Sequence, residues 1–319
     1  MFRILLVWKR GQEPIAKWPK GCSALLVPDP FSMTPHRRRV AIIFHATCVE
    51  YQKRNHIVSD QLFSVSGQHV LITGGSRGIG RAIAEGFAAR GAKVMICSRS
   101  QESVETAVKE MNEAGMAVTG LTCDVSDPEQ IKSTVVAAIH QLVHIDTLIN
   151  VAGVNRRQRA ETFTAADYDF VLDTNLRGAF LMSLEVGRHM IERRSGIQIN
   201  VESLNTWMPL KGVLPYAMSK FGMQGMTRGL ALEWGRHGIR VNSLAPGFVL
   251  TDLTRKLWSD PTMQAWNETN APLGRLGQPE DMIGTAIFLA AKASAFMTGQ
   301  TLYVDGGFSS GWNWPIPLS

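Results

Sequence analysis

Tyr216 and Lys220 stand four residues apart in the run Tyr216-Ala217-Met218-Ser219-Lys220, with Ser203 thirteen residues upstream. On a helix that spacing puts the phenol and the amine on one face, within reach of a common small volume. A free phenol has a pKa of about 10 and is a poor base near neutrality. An ammonium beside it favours the phenolate, and a shift of about three units corresponds to roughly 4 kcal/mol. A hydroxyl such as that of Ser203 would then hold a substrate oxygen against the phenol while a hydride moves elsewhere. Alone, the same spacing describes many pairs of surface residues on helices. The elements around it decide.

With 319 residues, 45% hydrophobic and 19% charged, the chain has the composition of a globular α/β protein. The net charge of +6 is uneven. Residues 1–58 hold ten Lys/Arg against Glu13, Asp29 and Glu50, which leaves the other 261 residues at about −1. A near-neutral body does not suit a nucleic-acid partner. Cys22, Cys48, Cys97 and Cys123 form no Cys-x-x-Cys and no metal-like spacing with a histidine, so no metal is expected and the thiols read as reduced. His140, His144, His189 and His237 read as surface or helix-packing residues. No apolar run reaches the eighteen or so residues of a membrane span.

Residues 1–64 read as a basic, poorly ordered extension with five prolines, a triple arginine and no sustained period. It suits an upstream extension without a folded role, an organelle-targeting leader or a partner-binding arm, in that order. Residues 65–319 alternate short apolar runs with helical patterns. Strands are expected at His69–Thr73, Lys93–Cys97, Ala117–Leu121, Thr147–Val151, Ile197–Val201, Arg240–Ser243 and Thr301–Val304. Helices are expected at Ile79–Arg90, Glu102–Ala114, Pro128–Leu142, Ala165–Glu192 and Pro215–Gly235. That order predicts one Rossmann-type doubly wound domain, a seven-stranded parallel sheet with helices on both faces.

The first of these strands runs into Thr73-Gly74-Gly75-Ser76-Arg77-Gly78-Ile79-Gly80, where a dinucleotide turn belongs. Gly74 and Gly78 admit positive φ and close approach to a pyrophosphate, and Gly80 lets the helix pack against the sheet. The second strand ends Cys97-Ser98-Arg99-Ser100, without the acid that would bind a ribose 2′-hydroxyl. Arg99, Ser98 and Arg77 suit a 2′-phosphate, so NADP(H) is favoured and NAD(H) stays open.

Together these motifs resemble the short-chain dehydrogenase/reductase family over residues 67–308. The resemblance rests on TGGSRGIG at 73–80, CDVSD at 123–127, NVAG at 150–153, Asn175, Ser203, YAMSK at 216–220, PGFVLTD at 246–252 and VDGG at 304–307. It implies that Ser203 orients the substrate, that Tyr216 is the acid/base and that Lys220 lowers the Tyr216 pKa and binds the nicotinamide ribose. Asn175 would hold a water linking Lys220 to solvent. Cofactor contacts would come from Gly74, Ser76, Arg77, Gly78, Ile79, Gly80, Ser98, Arg99, Asp124, Val125, Asn150, Ala152, Gly153, Tyr216, Lys220, Pro246, Gly247, Val249 and Thr251. A homotetramer or dimer in the cytoplasm is implied as well. The chain departs from the family pattern at Val151, where a second Asn is usual, and at Glu202, where a small residue is usual. Glu202 should point away from Ser203 and would need a partner if buried.

Within the family, AGVNRR at 152–157, ERR at 192–194, WGR at 234–236 and PLGR at 272–275 resemble gluconate 5-dehydrogenase-like and deoxygluconate dehydrogenase-like members. Arg156 and Arg157 at the carboxyl end of a strand suit a carboxylate-bearing polyol, although packing or solvent exposure would explain them equally. Trp312 and Trp314 could stack on a sugar or anchor the tail. The enzymatic alternative is a 3-oxoacyl-carrier-protein reductase, which would want a basic docking patch. A catalytically silent nucleotide-binding scaffold is the alternative of another class.

Overall fold

The computed structural model describes residues 61–311 and Ile316, together with three strands within residues 1–60, and the chain divides into two compact units, Met1–Asp60 and Gln61–Ser319. In the first unit β1 (Leu6–Val7), β2 (Cys22–Pro28) and β3 (Arg39–His45) pair antiparallel in the order β1-β3-β2. The sequence shows no sustained period there. The apolar runs of β2 and β3 are short, and their pairing across a ten-residue gap is a non-local event that a window does not register. Most of the expected extension lies outside the described residues.

In the second unit β4 (His69–Thr73), β5 (Lys93–Ser98), β6 (Val118–Thr122), β7 (Thr147–Asn150), β8 (Gly196–Val201), β9 (Ile239–Pro246) and β10 (Thr301–Val304) form a seven-stranded sheet. Its order is β10-β9-β8-β7-β4-β5-β6, and every pairing is parallel. The chain reverses its winding between β4 and β7, and a crevice outside the carboxyl ends of the strands opens at such a switch.

Alternation along each strand feeds two cores. Val70, Ile72, Val94, Ile96 and Ile199 meet α1 (Gly78–Ala88) and α2 (Gln101–Glu113) on one face. Leu71, Met95, Leu148 and Val241 meet α3 (Pro128–Leu142) on the other. The expected Ala165–Glu192 helix is α4 (Ala165–Leu172), a π-turn at Asp173–Arg177 and α5 (Gly178–Arg193). The expected Tyr/Lys helix is α6 (Leu214–Trp234). The sequence reading missed α7 (Asp252–Trp258), α8 (Pro261–Asn270) and α9 (Ile283–Ala290). α9 joins the α1 face, where Ala286, Leu289 and Ala290 are fully buried. No helix among the described residues is long and apolar enough to cross a membrane.

Candidate active site

The turn after β4 leaves no room for side chains where the chain doubles back. A Cβ on Gly74, whose φ is +70°, would lie 2.9 Å from the Ala152 backbone, and one on Gly80 would overlap the Gly74 carbonyl oxygen. Arg77 precedes α1 in extended conformation without a side-chain cap, and the first turn holds no acid. The N–H groups of that turn therefore face outward with the positive end of the helix dipole. Ser76 donates to Ser98 at 3.0 Å, joining the turn to the end of β5. Arg77 and Arg99 are exposed beside them. Thr251 reaches the turn from the other side, its Cγ2 lying 3.6 Å from where a Gly78 Cβ would be. Gly247 is pressed against Asp305 and donates to the Val304 carbonyl at 3.1 Å, which holds the Pro246–Val249 loop at the sheet edge. This cradle of glycines, an uncapped helix end and exposed arginines fits a phosphorylated dinucleotide.

Asp124 follows β6 and accepts from the Ser126 hydroxyl at 2.7 Å, beside buried Val125. The Asn150 Nδ2 donates to Ser183 and Asn200 at 2.9 Å each, while its Oδ1 is buried and accepts from none of the described residues. Val151 costs little order, since its N–H and that of Ala152 both donate to Thr73 Oγ1. Gly153 lies close to the Asn175 amide.

Asn175 sits in the π-turn, fully buried. Its Oδ1 accepts from Val154 N at 2.7 Å, while Nδ2 donates to Val154 O and to Ser219 Oγ. Ser219 in turn donates to the Tyr216 carbonyl at 2.7 Å. The amide thus clamps the loop after β7 to α6, a use the sequence did not signal.

Ser203 follows β8, its hydroxyl accepting from Asn205 N and Nδ2 at 3.2 Å each. Lys220 is 3% exposed and donates to the Val201 carbonyl at 2.7 Å, with Nζ 5.6 Å from the Tyr216 ring centroid. Burial lowers the Lys220 pKa to about 8, while Glu202 pulls it up. Burial pushes the Tyr216 phenol above its usual value, and the Ser203 hydroxyl acts the other way. The expected lowering of the phenol by Lys220 is absent from this geometry. The amine is held at Val201 rather than at the phenol oxygen, and desolvation of the phenolate prevails.

The paired arginines part company. Arg156 lies 4.5 Å over the Phe170 ring, and its Nε is 3.8 Å from Asp167, so it packs on α4. Arg157 is exposed, with its stem against Gly212 in the loop that leads into α6. Above the site Phe248 meets Trp258, Trp266 and Phe308 edge-on at centroid distances of 5.2, 5.5 and 4.9 Å. The motif PGFVLTD contains Phe248, but nothing local links it to the indoles of α7 and α8. Trp312 and Trp314 lie outside the described residues. His144, read as a lone histidine, is 3.1 Å from His69 and 3.2 Å from Asp146 at the opposite end of the sheet.

A doubly wound sheet with a glycine turn at its switch point, and Ser203, Tyr216 and Lys220 alongside, defines a dinucleotide-type oxidoreductase framework. A family model described as enoyl-(acyl carrier protein) reductase matches residues 73–309. The chain is 39% identical to the gluconate 5-dehydrogenase of Gluconobacter oxydans over 78% of its length and 97% of that protein's. It is 36% identical to the 5-keto-D-gluconate 5-reductase of Escherichia coli over 78% of its length and 98% of that protein's. The crystal structure of a gluconate 5-dehydrogenase from Burkholderia cenocepacia in complex with NADP and tartrate superposes with a TM-score of 0.76 at 37% identity, covering 79% of this chain and 98% of that one. The chain belongs to the short-chain dehydrogenase/reductase family.

Proposed function

We propose that this protein is an NADP(H)-dependent oxidoreductase that interconverts a secondary alcohol and a ketone on a sugar acid of the gluconate/5-ketogluconate type. The observation that carries this reading is the placement of buried Lys220 beneath the Tyr216 ring and close to Ser203, at the carboxyl end of the sheet that also holds the glycine turn. Similarity to gluconate 5-dehydrogenases supports the substrate class, and the relative crystallised with NADP supports the cofactor. Arg77, Ser98 and Arg99 at the β5 end suit the extra phosphate.

The nicotinamide, when bound, supplies or accepts the hydride. In the reducing direction Ser203 donates to the substrate carbonyl and Tyr216 gives that oxygen its proton. Lys220 and Asn175 keep α6 and the loop after β7 in register around the phenol, and Arg157 faces the substrate carboxylate. Oxidation reverses each step. Exposed Tyr168, Phe180, Met218 and Phe221 on α4, α5 and α6 support a homotetramer or dimer. The free, buried Cys97 and Cys123 suit a reducing cytoplasm.

Following NADPH and NADH oxidation with 5-keto-D-gluconate, simple ketones and a 3-oxoacyl thioester tests the reading. Preferred turnover of NADPH with the keto acid is expected. A preference for the thioester would favour the acyl reductase, and turnover of nothing would favour a silent scaffold.

A further inference from the structure

The scheme above needs the Ser203 hydroxyl as a donor, and Asn205 bears on that hydroxyl twice. Ser203 follows β8 in extended backbone, and the tight turn Leu204–Thr206 begins directly after it. The backbone N–H of Asn205 and its Nδ2 each donate to Ser203 Oγ at 3.2 Å. A serine hydroxyl has two acceptor lone pairs and one hydrogen. Two donors fill the lone pairs and leave the hydrogen for a partner of its own. The Ser203 carbonyl is engaged separately, by Thr206 N at 2.9 Å and by Thr206 Oγ1 at 2.7 Å. The Asn205 amide is oriented from its other end, since Oδ1 accepts from Leu210 N at 3.0 Å. At 4% exposure, Asn205 meets little solvent that could compete for either atom. The turn is capped through the backbone N–H of Asn205, so the second bond, from Nδ2, serves the hydroxyl rather than the fold.

We propose that Asn205 is a positioning residue: by donating to one Oγ lone pair of Ser203, its amide directs the Ser203 hydrogen to the substrate oxygen. This rests on the reading of Ser203 as the donor to the substrate carbonyl. A serine hydroxyl left to itself rotates to suit whichever acceptor is nearest. Held as an acceptor by two N–H groups, it is oriented before substrate arrives. It then needs no rearrangement as negative charge grows on the carbonyl oxygen during hydride transfer. An oxygen in place of Nδ2 reverses this polarity. The hydroxyl would donate to that oxygen, and the substrate would lose its donor. A carboxylate at this position still offers an oxygen to Leu210 N, so it separates the two duties of the side chain, whereas a methyl abolishes both.

The test compares Asn205→Asp, Asn205→Ala and Ser203→Ala in NADPH-dependent reduction of whichever ketone of the panel above is turned over fastest. The assay is run at pH 8, where a carboxyl accepting from Leu210 N and Ser203 is ionised. The Asp variant keeps the Leu210 bond, yet its kcat is expected to fall about a hundredfold, the loss of one pre-set donor. The Ala variant gives up the Leu210 bond but leaves the hydroxyl free to turn, and its kcat is expected to fall only about tenfold. NADPH Kd, read by fluorescence titration, should stay within about twofold of the wild-type value in both. An Asp variant at least as active as the Ala variant overturns the proposal, because the amide would then serve Leu210. Wild-type kcat in the Ala variant overturns it as well, and decides alone if the Asp variant does not fold. Loss of NADPH binding in both variants also overturns it, since the side chain would then hold the fold. Ser203→Ala separates the two layers. If it turns over ketone at the wild-type rate, the reading of the site itself has failed. If it is inactive while Asn205→Asp keeps wild-type activity, only the role of Asn205 falls.

Discussion

At the scale of residues, the site places an amine in a position that burial penalises. In the unfolded chain Lys220 keeps its proton up to the ordinary value of 10.5, whereas in the folded protein it holds it only to about 8. Below pH 8 both states are protonated and folding bears the full desolvation cost. The cost fades as pH rises from 8 to 10.5, so stability from this group increases across that window. Lys220→Met should accordingly stabilise the cofactor-free protein at pH 7 by about 2 kcal/mol, after allowing for the lost bond to Val201, while removing activity. Denaturant midpoints at pH 7 and pH 10.5 check this. A stabilisation that does not shrink at the higher pH would contradict it. The arginines give a second expectation. Arg157→Ala should raise KM for a keto acid about tenfold and leave that for an uncharged ketone unchanged, the loss of a charge-assisted contact. Arg156→Ala should change neither by more than about twofold, because Arg156 already packs on Phe170 and Asp167. Steady-state kinetics with both substrates decide. The opposite assignment would place the carboxylate at Arg156.

At the scale of elements, the parts that were legible in the sequence are those whose signal is local. Gly74, Gly78 and Gly80 announce the turn because backbone approaches backbone there, and the run Ser126-Asp127-Pro128 announces α3 because Asp127 caps it by accepting from Glu129 N and Gln130 N. Tyr216 and Lys220 fall on one helix as their spacing requires. What was not legible depends on distant partners. The π-turn that aims Asn175 breaks a uniform helical pattern only by one residue of register, and such turns recur at functional sites. Helices α7 and α8 are short, and the indoles of Trp258 and Trp266 make sense only once Phe248 and Phe308 are placed opposite them. The burial of Glu202 arises from Thr301, nearly a hundred residues on. The glycine turn yields the prediction proper to this scale. Gly80→Ala would push a methyl into the Gly74 carbonyl, so the turn must open. NADPH Kd, read by fluorescence titration, should rise at least about tenfold, with a stability loss of about 1–3 kcal/mol. Unchanged affinity would show that the turn does not cradle the cofactor.

At the scale of the whole molecule, one sheet with a core on each face carries the site at its switch point, and the basic segment of residues 1–60 forms a unit of its own. The family match begins at residue 73, and the Gluconobacter relative is covered over 97% of its length by 78% of this chain. Removing residues 1–60 should therefore leave kcat and the NADPH Kd within about twofold of the full chain's, as expected for two units that fold separately. A large loss of activity would assign the segment a catalytic part. The central claim, however, is that one phenol moves the proton. Replacing Tyr216 with Phe keeps the ring beside Lys220 and deletes only the hydroxyl. With saturating NADPH and keto acid, kcat should fall about 10²–10⁴-fold while the NADPH Kd stays at the wild-type value. Turnover at the wild-type rate would contradict the account.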